Sequence, residues 1–363
     1  MPKVIVHLAD RSYPIVIRRG VVHQIGMYLP QRLQSPCATI ITNRTVAPLY
    51  VRHVSASLAD IFPKINIISI PDGERYKTIT QLQKIYHQLA AYNLERTTPI
   101  IALGGGVVGD IAGFAAATFL RGVPLVQIPT TLLAQVDSSV GGKTGVNLAA
   151  GKNLVGAFYQ PSLVAIDPEV LSTLPQREFA AGMAEVIKYA ILKGGELFQL
   201  LVNNMQKVLA HHLTTLEQMI TLCCTMKADI VSRDEREQGI RAYLNYGHTI
   251  GHAVETLTGY KKYKHGEAVA IGMLAETRIA VSLGMCSEKT FAQLQYLLQQ
   301  AGLPTALPDI PAHRYLAVME KDKKKAHKMI RMVLPEKIGK VVVVPLSSAQ
   351  VSAILRRDFK LMK

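Results

Sequence analysis

Short β-branched runs alternate with helical periodicity through the first half of the chain, and then the texture changes. Segments beginning at Ala38 (ATIIT), Ile65 (INIISI), Pro99 (PIIAL), Pro124 (PLVQI) and Leu163 (LVAID) are continuously apolar. Such runs suit strands covered on both faces. Helical patterns separate them, for example Ile79, Leu82, Ile85, Tyr86 and Leu89 at i, i+3, i+4 spacing. KVIVHL and PIVIR flank the polar residues 9–12 and read as an antiparallel hairpin. Alternating strands and helices predict an α/β fold with a mostly parallel sheet and helices on both faces. After Asp167 the segments become long, rich in Leu, Ala and Met, and helically periodic. One late hairpin, MIRMVL and KVVVVP, is joined by residues 335–339. The expected division is therefore an α/β domain over residues 1–167 and a mainly helical domain over residues 168–363, with a cleft between them as the default ligand site.

Length and charge narrow the picture. At 363 residues the chain exceeds one ordinary core, which fits two domains. No segment reaches membrane-spanning length without Gly, Pro or charge, and no signal peptide is apparent. Four cysteines without CxxC pairing suit a reducing, cytoplasmic setting. The formal charge of +15 is high. Dispersed cations and the lack of Trp argue against nucleic acid as partner. Steering of a small anionic substrate accounts for the same charge.

Two constellations carry chemistry. Gly104-Gly105-Gly106-Val107-Val108-Gly109-Asp110 follows a strand and opens a helix, where backbone N–H groups and a helix N-terminus favour phosphate. It matches G-x-G-x-x-G formally, but it is not the first βα turn, and no acidic residue ends a following strand to hold a ribose. Gly and Thr at other strand ends, at residues 72–74, 129–131 and 141–145, make a dinucleotide crevice the expected use. Lys143, Lys152 and Asn153 lie among small residues, where a lysine is a point charge for phosphate or carboxylate. Farther on, residues 241–273 gather His248, His252 and His265 with Glu255 and Glu267 in apolar surroundings, as a divalent-metal site needs. His248 and His252, at i, i+4, form the obvious ligand pair. The third ligand is His265 or Glu185, and spacing does not decide between them.

Taken together, PDGERYKT, LGGGVVGDIAGFAAATFLRG, IPTTLLAQVDSSVGGKTGVN, GKNLVGAFYQP, GMAEVIKYAI, DERE, RAYLNYGHTIGHAVE, HGEAVAIGM and DKK resemble the 3-dehydroquinate synthase family over nearly the whole chain. The resemblance implies a Rossmann-like α/β NAD-binding domain followed by a helical, metal- and substrate-binding domain, in a homodimer. It implies Glu185, His248 and His265 as ligands of zinc, with cobalt as the alternative, and moves His252 to an acid/base or substrate-hydroxyl contact. NAD would contact Asn43, Asp72, Gly73, Glu74, Arg75, Tyr76, Lys77, Gly105, Gly106, Val107, Val108, Gly109, Asp110, Thr130, Thr131, Lys143, Lys152, Val170, Leu171, Ser172 and Thr173. A phosphorylated keto-acid substrate would be held by Arg121, Asp137, Lys143, Asn153, Lys188, Lys227, Arg241, Asn245 and Lys324. Arg121 would reach a partner subunit's site. Glu237, Lys143, Arg241 and Asn245 join His252 as catalytic candidates. Around residues 325–328 the chain reads Lys-Ala-His-Lys and lacks a Gly that the family often has, so the lysine that contacts substrate is left open there.

Overall fold

The computed structural model describes residues 3–31, 33, 35–322 and 329–358. Lys324 and the lysine run around it lie outside the described residues. The chain divides into two compact units. One comprises Met1–Leu174 with Leu216–Arg236, the other Pro175–Thr215 with Glu237–Lys363. The expected division at residue 167 thus differs in two ways. The first unit runs on through the capped turn Pro168–Thr173, whose Thr173 hydroxyl is 2.5 Å from the Tyr50 hydroxyl. It also recovers a helical stretch that composition alone assigns to the second domain.

In the first unit, β1 (Lys3–Val6) and β2 (Tyr13–Ile17) form the expected hairpin, followed by β3 (Cys37–Asn43), α1 (Ala47–Leu58), β4 (Lys64–Ile70) and α2 (Ile79–Ala91). Then come β5 (Ile100–Gly104), α3 (Gly106–Thr118), β6 (Leu125–Pro129), β7 (Lys143–Leu148), β8 (Gly151–Phe158) and β9 (Leu163–Ile166). The main sheet has the order β1-β2-β9-β6-β5-β3-β4, parallel except for β1–β2. Alternation along each strand feeds two cores. Ile40, Ile101 and Leu103 pack with Tyr50, Val54 and Leu58 of α1, whereas Ile41, Ile100 and Ala102 pack with α2 and α3. Both faces are therefore covered, which is why these strands are apolar throughout.

From β3 the chain moves outward to β4, then returns to place β5 on the other side of β3. This is the point where strand order reverses, and in open α/β sheets ligands bind beyond the strand ends there. The glycine turn after β5 lies at this reversal point although it is not the first βα turn.

The second unit is built on α4 (Gln176–Lys193), α5 (Gly195–Leu209), the start of α6 (Leu213–Arg233), α7 (His248–Leu257), α8 (His265–Ser282), α9 (Glu288–Gln300) and α10 (Ala312–Asp322). The hairpin β10 (Met329–Lys337) and β11 (Lys340–Ser347) and the helix α11 (Ser348–Asp358) complete it. α4 and α8 are buried all round, from Phe179 to Leu192 and from Ala268 to Ala280. A helix with no polar face belongs in a core. Among the described residues no helix is long and apolar enough to cross a membrane.

Candidate metal and dinucleotide sites

Two close backbone approaches assemble the histidine cluster. A Cβ on Gly266 would collide with the Ala181 carbonyl of α4, so only glycine lets the first turn of α8 touch α4. Ala181 lies one turn before Glu185, and Gly266 directly follows His265. A Cβ on Gly272 would likewise collide with the Gly247 carbonyl, and Gly247 precedes His248. The α7 N-terminus is then capped from α8: Gly247 N–H and Ile250 N–H donate to the fully buried Glu276 carboxylate at 2.7 and 3.1 Å. The carboxylate thereby takes up two of the N–H groups that a helix leaves unpaired at its start.

Glu185, His248 and His265 each offer a ligand atom, all within 4.8 Å of one another. His252, Glu255 and His265 form a second such group. The i, i+4 pair His248 and His252 falls in neither group together; their rings stand at 88°, centroids 5.4 Å apart. The expectation from spacing is therefore corrected. An i, i+4 offset places two rings on one face but does not aim both at one point.

Glu185 is fully buried and pairs with the Lys188 ammonium one turn away. Neither of its oxygens has a hydrogen-bond partner among the described residues, and His248 Nε2 is 3.7 Å from Oε1. His248 Nδ1 sits 3.1 Å from the Tyr246 carbonyl, which assigns the proton to Nδ1 and leaves the Nε2 lone pair facing Glu185. Burial first, then the Lys188 charge and the two neighbouring histidines, hold His248 well below its ordinary pKa. It is a neutral donor at neutral pH. Two imidazoles and one buried carboxylate are three protein donors of the kind that suit zinc or cobalt, a number that leaves a position for a substrate oxygen. Glu267 does other work: it caps α8 at Lys264 N–H, 2.8 Å, and binds Arg177 at 2.6 and 2.7 Å. Arg241 is buried on the turn Ile240–Asn245, and Asn245 donates to Glu237 at 2.8 Å.

In the first unit Gly105 is the N-cap of α3 and has no side chain to cap it. Glycine there provides room: Cβ atoms on Gly105 and Gly106 would meet Thr131 and Ser138, each at 2.9 Å. Asn43, at the end of β3, accepts from Val46 N–H at 3.0 Å. The small residues around Lys143, Lys152 and Asn153 form the hairpin β7–β8, with Lys143 and Lys152 on its strands. Lys77, Asp110 and Asn153 meet in one network: buried Lys77 pairs with Asp110 and donates to Asn153 Oδ1 at 2.6 Å. Asn147, the last residue of IPTTLLAQVDSSVGGKTGVN and given no role by the resemblance, joins them, accepting from Asn153 N–H at 2.9 Å and donating to Glu74 at 2.7 Å. Lys227 of α6 donates to the Asp137 carboxylate and carbonyl at 2.5 and 2.6 Å. One turn before it, burial pushes the Cys224 thiol up to about 12, so it stays protonated. Arg121 is exposed, and both it and Leu120 have left-handed backbone, φ 66° and 49°.

Comparison with known proteins agrees with this layout. Residues 67–181 match the family model 3-dehydroquinate synthase N-terminal, and residues 182–325 match 3-dehydroquinate synthase C-terminal. The chain belongs to the 3-dehydroquinate synthase family. Over 345 residues it is 49% identical to the 3-dehydroquinate synthase of Pelobacter propionicus, covering 95% of this chain and 96% of that protein. The fold matches a 2-deoxy-scyllo-inosose synthase in complex with carbaglucose-6-phosphate, NAD+ and Co2+, with TM-score 0.89, 28% identity, and 98% and 99% of the two chains covered. It also matches the 2-epi-5-epi-valiolone synthase of Streptomyces hygroscopicus, which carries NAD+ and Zn2+, with TM-score 0.86, 27% identity, and 95% and 96% covered.

Proposed function

We propose that this chain converts 3-deoxy-D-arabino-heptulosonate 7-phosphate to 3-dehydroquinate and inorganic phosphate, as a carbon–oxygen lyase acting on a phosphate. The observation that carries the reading is Glu185, a buried carboxylate short of hydrogen bonds, grouped with His248 and His265 in a chain of this family. Those three would hold zinc or cobalt, which lowers the pKa of a bound substrate hydroxyl and orients it. Gly105, Gly106 and the residues around them, at the sheet's reversal point, would hold NAD, which would supply reversible hydride transfer with no net oxidation.

The chain's own residues then handle charge. A carbonyl formed next to a C–H acidifies that bond, so phosphate leaves by elimination and can itself take the proton. Lys143, Asn153, Lys188, Lys227, Arg241 and Asn245 would supply cations and donors for phosphate and carboxylate. Lys77 and Asp110 hold Asn153 in place. His252, exposed beside His248, would hold a proton through the later ring opening and aldol closure. Arg121 on its outward, strained turn supports a homodimer in which it serves the second copy. The four buried free cysteines suit a cytoplasmic protein.

The test is phosphate release from the seven-carbon substrate, with and without a chelator. The expected result is chelator-sensitive release without net reduction of NAD, whereas stoichiometric accumulation of reduced NAD would make the chain a dehydrogenase. His248→Ala should lose bound zinc and at least about 10³-fold in turnover. His252→Ala should keep zinc and lose about 10²- to 10⁴-fold.

A further inference from the structure

Glu255 plays no part in the reaction as derived above, yet its position is hard to explain by packing. It lies on α7, two turns after His248, and is only 4% exposed. An ionised carboxylate at that depth requires a partner. Its Oε1 lies 3.6 Å from Nδ1 of His265, an ion-pair distance slightly beyond hydrogen-bond length.

The two metal-capable groups share His265. A neutral imidazole has one lone-pair nitrogen and one N–H, so His265 gives its lone pair to one group at a time. Which nitrogen serves an ion is set by what the other one donates to. In His248 the arrangement is visible, with Nδ1 turned to the Tyr246 carbonyl. His265 has the same arrangement, with Nδ1 turned to a carboxylate.

We propose that Glu255 is the positioning residue of the metal centre: it accepts the Nδ1 proton of His265 and leaves Nε2 to bind the ion with Glu185 and His248. Outer carboxylates of this kind fix the tautomer and the ring plane and make the ligand more basic. The group His252, Glu255 and His265 is then an orienting set, and the chain binds one ion. This rests on the metal assignment made above.

The experiment uses the full chain stripped with a chelator. Zinc affinity is measured by competition with a chromophoric chelator, and stoichiometry by elemental analysis. Glu255→Ala should weaken zinc about 10- to 100-fold. Glu255→Gln, whose amide oxygen still accepts the proton, should recover part of the loss. The visible spectrum of the cobalt form should change with the first variant more than with the second. One ion per chain is expected in all three proteins. Unchanged affinity in Glu255→Ala would overturn the proposal while leaving the metal site intact. Two ions in the parent and one in Glu255→Ala would overturn it by making Glu255 a ligand. A parent that binds no zinc would sink the metal reading itself. Should the variants fail to fold, nitrogen NMR of the zinc-loaded parent with labelled histidine decides: protonated Nδ1 on His265 supports the proposal, and zinc on Nδ1 overturns it.

Discussion

Each unit buries a lysine against a carboxylate, and the two pairs are finished differently. In the first unit Lys77 meets Asp110 and also donates to Asn153, which Asn147 holds in turn, with Glu74 beyond it. Burial raises the Asp110 carboxyl and the Lys77 charge opposes that rise. Each member meets another, so the network ties the segment before α2, the start of α3 and the hairpin β7–β8 together. In the second unit Lys188 meets Glu185 with both side chains at most 2% exposed, and the carboxylate lacks hydrogen bonds. A satisfied buried pair holds structure in place. An unsatisfied one waits for something to bind, because desolvating two charges is repaid only when the remaining lone pairs are also used.

Breaking the finished pair should have the largest effect on stability. Lys77→Met leaves Asp110 without its cation and should lower unfolding free energy by about 3 kcal/mol in urea titrations. A loss under about 1 kcal/mol would show that the network is dispensable. The unfinished pair should respond in the opposite direction. Glu185→Leu combined with Lys188→Met, measured with chelator present, should leave stability unchanged or raise it by about 2 kcal/mol, while zinc binding disappears. A clear loss of stability there would make the two pairs equivalent and remove the contrast.

The smallest effect concerns pH. His248 has a folded pKa well below 6.5, so below pH 6.5 the unfolded chain takes up its proton first. Stability contributed by neutral His248 is therefore present above that value and declines as pH falls toward the folded pKa. With chelator present, the parent should lose up to about 1.4 kcal/mol per pH unit more than His248→Gln in this window. Parallel pH profiles for the two proteins would mean that His248 is not held neutral.

What the residues alone revealed, and what they hid, follows from how far each signal reaches. Alternation between strand and helix was legible because burial on both faces leaves apolar runs that no other arrangement explains. The hairpin β7–β8 was not, since its Gly, Ala and Asn carry little strand propensity. Gly145 and Gly156 pair in it with no room for side chains. The histidines drew attention at once, but which of them act together depends on where α8 crosses α4, and that is set by Gly266, a residue with no chemistry of its own. Glu276 escaped notice for a related reason. A single glutamate in an apolar helix looks like a surface residue until the α7 N-terminus is found resting on it. Spacing left Glu185 and His265 as alternatives, whereas the family resemblance implies both, because it joins segments far apart in sequence.

The return of Leu216–Arg236 to the first unit bears on how the chain is made. Cys224, Lys227, Ser232 and Glu235 of that stretch bond to Gln135, Asp137, His7 and Arg11. On the ribosome, the first unit cannot complete itself when Leu174 emerges, and must wait, partly formed, until Arg236 has cleared the exit. No single proteolytic cut or gene truncation can then release it whole and free of residues 175–215 of the second unit. A fragment ending at Leu174 would lack the helix that closes it, and two-piece complementation would need the break placed after Arg236.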